Sequence, residues 1–172
     1  MNNNTQSKLG HKLIRYGILL FLLGLLAGFA VESMKNPRMG LSSHLEGTMN
    51  GMFLILIGLI WARLRLSNRT QKWAYGLALF GTYTNWATTL LVGIWGAGAI
   101  MMPIAGLHMS GTPWQEILIK FGLISLALAM VIVCVFILWG LREMVTESKK
   151  TRRQAGIFQI SHQSLMTNIR DN

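Results

Sequence analysis

The chain has 172 residues, of which 52% are apolar and only 13% charged, with a formal net charge of +10. One domain fits that length, and a soluble domain would need more charged surface than these residues supply. The basic residues stand at the ends of apolar blocks, which points to membrane topology and anionic headgroups and away from nucleic acid.

In chain order, residues 1–15 form a tail with Lys8, Lys12 and Arg15, and His11 needs no special role there. The first predicted span runs from Tyr16 to Met34 (YGILLFLLGLLAGFAVESM). Its length and the three spans that follow argue against a cleaved secretory signal, although Gly28-Phe29-Ala30 vaguely resembles a cleavage site. The second span covers His44 to Trp61, the third Trp73 to Ile100 and the fourth Ile117 to Leu141. Each is close to the roughly 20 residues a helix needs to cross the hydrocarbon core. Barrel strands are excluded by span length and by the lack of period-two alternation, and open sheet by its unpaired backbone groups.

The loop before the fourth span, MMPIAGLHMSGTPW, holds His108 with no second ligand at metal-binding spacing, so it reads as a loop histidine. Cys134 lies in an apolar run and reads as an inert thiol, in the core or facing lipid; alone, it excludes an intrachain disulfide. Residues 142–172 form a basic tail that opens as a charged helical continuation (REMVTESKKTRR) and ends in a loose, polar stretch containing His162. Thirteen Lys and Arg fall on one side of the spans, against Lys35, Arg38 and Lys120 on the other. The expectation is an all-α integral membrane protein, a four-transmembrane-helix bundle over residues 16–141 with both termini cytoplasmic.

Polar residues inside spans are costly and mark candidate sites. The second span opens HLEGTMNGM. Helical spacing puts His44, Gly47, Thr48 and Gly51 on one stripe, with Glu46 and Asn50 on a neighbouring one. Gly47 and Gly51 leave a clearing beside the imidazole where a flat macrocycle fits, with His44 as its axial iron ligand. Glu46 then acts as a support for an imidazole or as a proton carrier, and Asn50 orients a polar substrate group. The competing reading is helix packing, through Gly47-xxx-Gly51 and Gly24-xxx-Gly28, with Glu46 pairing with Arg38 or capping the helix. The third span carries GTYTNWATTL. There Asn85 and Tyr83 offer hydrogen bonds and Trp86 a stacking surface, or the threonines bond back to their own backbone while the aromatics pack. Asn85, a mid-span amide, needs a partner.

SMKNPRMGLSSHLEGTMNGMFLILIGLIW, with GTYTNWATTLLVGIWGAG further on, resembles the hydroxylaminobenzene mutases of bacterial nitroarene degradation. The resemblance spans all four helices, and NPRMGLSSHLEG is its most specific part. It implies conversion of hydroxylaminobenzene to 2-aminophenol in a bacterial inner membrane, without net redox change. The same stretch is more distantly similar to the styrene oxide isomerases, which use haem b as a Lewis acid. In that family the axial histidine is followed six residues later by a substrate-lining asparagine, the spacing of His44 and Asn50. It implies a metal ligand at His44, haem b as cofactor, and a homotrimer with haem between subunits. That family's tyrosine beyond the third-span tryptophan has no counterpart, since Leu91 and Val92 stand there. Epoxide isomerisation is therefore not implied, and Tyr83 does not inherit that role. A b-type haem electron carrier and a non-enzymatic scaffold or small transporter remain the alternatives.

Overall fold

The computed structural model describes residues 3–105 and 109–170, and the side chains of residues 6–105 and 109–142. Four long helices account for nearly all of them: α1 (Asn3–Phe29), α2 (Pro37–Ile60), α3 (Asn68–Trp95) and α4 (Pro113–Arg170). Short 3-10 turns, Val31–Ser33 and Trp61–Arg63, follow α1 and α2, and there is no strand among the described residues. α1 packs along α2, α2 on α3, and α3 on α4. Among the described residues, α1, α2 and α4 are long and apolar enough to cross a membrane. α3 falls short of that measure because Arg69, Gln71 and Lys72 open it and threonines and Asn85 interrupt its centre.

The helices extend beyond the apolar blocks because caps, not hydropathy, set their ends. α2 begins seven residues before His44. Asn36 caps it, its side-chain oxygen accepting from the Met39 N–H at 3.2 Å, with Pro37 at the first helical position. Ser67 caps α3 by accepting from the Thr70 N–H at 3.2 Å. Gly96, in the left-handed region at φ 64°, ends α3 short of the expected Ile100. α4 continues through Arg170, past the stretch expected to be loose; no proline interrupts it after Pro113. The expectation for His108 lies outside the described residues.

Asn36 and Glu116 fasten the connections at the same end of the bundle. Asn36 is fully buried; its amide donates to the Ala105 carbonyl at 3.1 Å and its backbone N–H to Gly93 at 3.0 Å. Glu116, in the first turn of α4, accepts from the Gly98 and Gly111 N–H groups at 2.7 and 2.9 Å. Asn36→Ala removes a cap and strands a part-buried carbonyl, so thermal unfolding in detergent should show a loss of about 2 kcal/mol. Asn36→Asp keeps the capping oxygen and should recover part of that loss.

The α1–α2 seam is built on glycine. Gly10, Gly17 and Gly24 recur every seven residues on α1 and meet Gly58, Gly51 and Gly47 of α2. A Cβ on Gly24 would lie 2.7 Å from the Gly47 carbonyl carbon, and one on Gly17 2.7 Å from the Gly51 oxygen. Backbones therefore touch, the small-residue packing used where lipid supplies no hydrophobic drive between helices. Leu13, Leu20, Leu54, Trp61, Ala78 and Val133 fill the core beside it. α4 is the contrast: only 11% of its most apolar window is buried, and Ile117, Phe121, Leu128, Val131 and Leu138 all point outward. Cys134 is exposed on the same helix.

Candidate active site

Two polar arrangements arise from α2, on different sides of it. At 3.6 residues per turn, Glu46 and Asn50 lie about 160° and 120° around the helix from His44. His44 faces α1, and Glu46 and Asn50 face α3.

The His44 ring nitrogen Nδ1 lies 2.9 Å from the Gly24 carbonyl oxygen. A carbonyl only accepts, so Nδ1 carries the proton and Nε2 keeps its lone pair. Nε2 makes no hydrogen bond among the described residues. Gly28, one turn along α1, supplies the space for the ring: a Cβ there would sit 2.7 Å from Nδ1. A histidine pinned through one nitrogen by a backbone carbonyl, with the other free, is the arrangement found at metal-ligating imidazoles. The donor set fits an axial haem ligand. Among the described residues no three His, Cys, Asp or Glu side chains gather into a site for a bare metal ion.

Gly47 and Gly51, expected to open a clearing beside the imidazole, have that surface covered by α1. A Cβ on Gly47 would run into the Gly24 Cα, and one on Gly51 would lie 2.7 Å from both the Gly17 oxygen and the Phe21 nitrogen. The helix-packing alternative describes these two positions, and Gly28 on α1 supplies the space at the ring.

Glu46 is the hub of the second arrangement. Its Oε2 accepts from the Asn50 amide at 3.1 Å and from the Asn85 amide of α3. Neither Arg38 pairing nor capping is its role. Two amides on a carboxylate are charge-assisted hydrogen bonds in a setting with little water, so they hold α2 to α3 and fix the carboxylate's direction. Oε1 accepts no hydrogen bond among the described residues. Asn85 thus finds the partner a mid-span amide requires. Thr82 and Thr89 beside it bond back to their own helix, at 2.7 Å to Ala78 and 3.0 Å to Asn85.

Tyr83 is not part of this cluster: its hydroxyl donates to the Tyr16 carbonyl of α1 at 2.9 Å. Trp86 lies between the two arrangements. A Cβ on Gly47 would come within 2.9 Å of its Cδ1, and its Nε1 is buried without a hydrogen-bond partner. The indole also lines a cavity of about 570 Å³ between α1 and α3, with Leu23, Leu26, Ala27, Leu90, Ile94 and Lys35 among its walls. Such a volume lies in the range of small-molecule sites.

Sequence reasoning placed Gly28 in a helix-packing pair and missed Asn36 and Glu116. The Asn-Pro dipeptide signals the Asn36 cap, and an acidic residue three positions after Pro113 signals a helix start. Nothing local signals that Gly28 receives an imidazole from 16 residues away.

A family model described as styrene oxide isomerase matches residues 9–142. A hydroxylaminobenzene mutase, HabB of Ectopseudomonas oleovorans, is 56% identical over 139 residues, covering 81% of this chain and 85% of that protein. A second, HabA of the same organism, is 43% identical over 125 residues, covering 73% and 93%. No solved structure matches the chain.

Proposed function

Because the chain belongs to the styrene oxide isomerase family, we propose that it is a membrane mutase that rearranges hydroxylaminobenzene to 2-aminophenol in a bacterial inner membrane. The 56% identity to a hydroxylaminobenzene mutase carries the reaction class. The Glu46–Asn50–Asn85 cluster supplies residues suited to it. We take α3 as the fourth span, its polar face turned inward to α2 and α4, with both termini cytoplasmic.

The reaction breaks the N–O bond, forms a C–O bond at the ortho carbon, and moves the ortho proton to nitrogen, so electrons balance without an external oxidant. His44 would hold a haem b through Nε2, with the Gly24 carbonyl fixing the ring. That haem, when bound, supplies Lewis acidity toward the hydroxylamino group. Glu46 carries the proton: Oε2 is held by the two amides and Oε1 is available to take it from carbon and return it to nitrogen. Asn50 and Asn85 hold that carboxylate in one orientation. The apolar cavity beside Trp86 suits the aryl ring and keeps bulk water from the migrating oxygen.

His44 and Glu46 face opposite sides of α2, so a single copy does not bring them to one point. A homo-oligomer, a trimer in our reading, sets His44 of one copy against the carboxylate cluster of the next, with haem between them. The exposed apolar stripe Leu41, Leu45, Met49 and Met52, adjoining His44 on α2, supports a contact between copies.

Isotope labelling tests the proposal. Hydroxylaminobenzene carrying ¹⁸O, given to purified protein in ordinary water, should yield 2-aminophenol that retains the label, and the protein should show a Soret band. Absence of turnover, or ordinary oxygen in the product, overturns the intramolecular mutase assignment.

A further inference from the structure

Lys12, Arg15, Tyr16 and Leu19 line a cavity of about 370 Å³ on the surface of α1, away from the site described above. Among the described residues, Lys12 and Arg15 have no carboxylate partner and no acidic side chain lines the cavity. The Tyr16 hydroxyl makes no hydrogen bond among the described residues; the bond from Tyr83 reaches only the Tyr16 backbone. Three donors therefore line one hollow with no acceptor among the described residues, an arrangement that takes a phosphate group.

What lies above the hollow separates a lipid from a free anion. Arg15, Leu19, Leu22 and Leu26 follow one another at four-, three- and four-residue steps, one face of the helix. The three leucines are 45%, 49% and 53% exposed. They form an apolar track roughly 10 Å long rising from the cationic hollow, at 1.5 Å per residue. The same end of the bundle gathers further positive charge. Gln6 donates to the Trp61 and Leu64 carbonyls at 2.8 and 2.9 Å, which sets the start of α1 against the connection bearing Arg63 and Arg65, just before Arg69 and Lys72 in the first turns of α3.

We propose that this hollow binds the phosphodiester headgroup of an anionic phospholipid, with Lys12, Arg15 and the Tyr16 hydroxyl as donors and the Leu19–Leu22–Leu26 track seating an acyl chain. Among the described residues of the lining the charges are all positive, which disfavours zwitterionic headgroups, whose ammonium would meet those cations. The cationic hollow stands apart from His44 and the Glu46 cluster and does not depend on the reaction proposed above; only the far end of the track, Leu26, also lines the cavity beside Trp86.

Native mass spectrometry of the full chain in detergent, titrated with phosphatidylglycerol, tests it. The wild type should retain one lipid tightly, and K12Q/R15Q should bind it roughly 30-fold more weakly, the loss expected for two interfacial cations. K12R/R15K keeps both charges and should bind like the wild type, which separates lost charge from lost folding. Phosphatidylcholine should bind as weakly to the wild type as phosphatidylglycerol does to K12Q/R15Q, and inorganic phosphate should not compete at equal concentration. Equal phosphatidylglycerol affinity in wild type and K12Q/R15Q overturns the proposal. So does equally tight phosphatidylcholine, which reduces the site to its apolar track, or competition by inorganic phosphate, which makes it a free-anion site.

Discussion

His44→Ala is expected to lose the Soret band and to lower turnover of hydroxylaminobenzene by on the order of 10³-fold or more. A fixed electrostatic stabiliser alone is worth about 10²–10³-fold, and here the group that would fix the metal is removed. The fold should survive, because the ring is only half-buried and its one hydrogen bond goes to a single carbonyl, Gly24. Alanine leaves a hollow between Gly24 and Gly28 with the shape of the missing ring. Added imidazole should therefore restore part of the chromophore and part of the rate. A His44→Ala protein that keeps both haem and full activity refutes the ligand assignment, whatever the mutase activity of the wild type.

The second large effect is on stability, and its sign opposes helix propensity. Ala is the better helix former, by about 1 kcal/mol over Gly in a helix interior. At Gly76, where a Cβ would meet nothing within 4 Å, Gly76→Ala should therefore be neutral or stabilising. At Gly47 the same methyl runs into the backbone of Gly24 and lies 2.9 Å from the Trp86 ring. Backbone cannot rotate away as a side chain can, so α1 must move off α2 along its length. Overpacking typically costs about 1–3 kcal/mol, and Gly47→Ala should reach the upper end of that range after its propensity gain is subtracted. Thermal unfolding of the two variants side by side reads the difference directly. The Gly47 change should also loosen the His44–Gly24 bond, one turn away, and broaden the Soret band. Equal melting temperatures for the two variants would mean that the backbone contact is not tight in solution.

Much of the fold is legible in the sequence because lipid imposes a simple rule: apolar runs near 20 residues become helices, and basic residues mark their ends. The ends themselves are less legible. Hydropathy starts the second span at His44, whereas Asn36 and Pro37 start the helix, since capping is a matter of backbone hydrogen bonds that apolar content does not register. α3 shows the reverse case, a 28-residue helix whose polar centre is compensated by neighbours. At the site, the choice of residues on α2 follows from their cost in a bilayer. Their partners do not. The six-residue step from His44 to Asn50 fixes an angle around the helix, but which helix stands at each angle is tertiary information. That Asn85 rather than Arg38 meets Glu46, and that Gly28 rather than Gly47 makes room for the imidazole, depends on how α1 and α3 flank α2.

The pairing of Glu46 with two amides also bears on how the chain is made. Asn50 stands one turn along the same helix, so the carboxylate has a donor as soon as α2 coils, while Asn85 is still 39 residues away along the chain. The glycine seam likewise needs only α1 and α2. During synthesis these two helices can close as a hairpin whose most polar side chain is already half satisfied. The later arrival of α3 then completes the carboxylate's shell instead of having to rescue a bare charge.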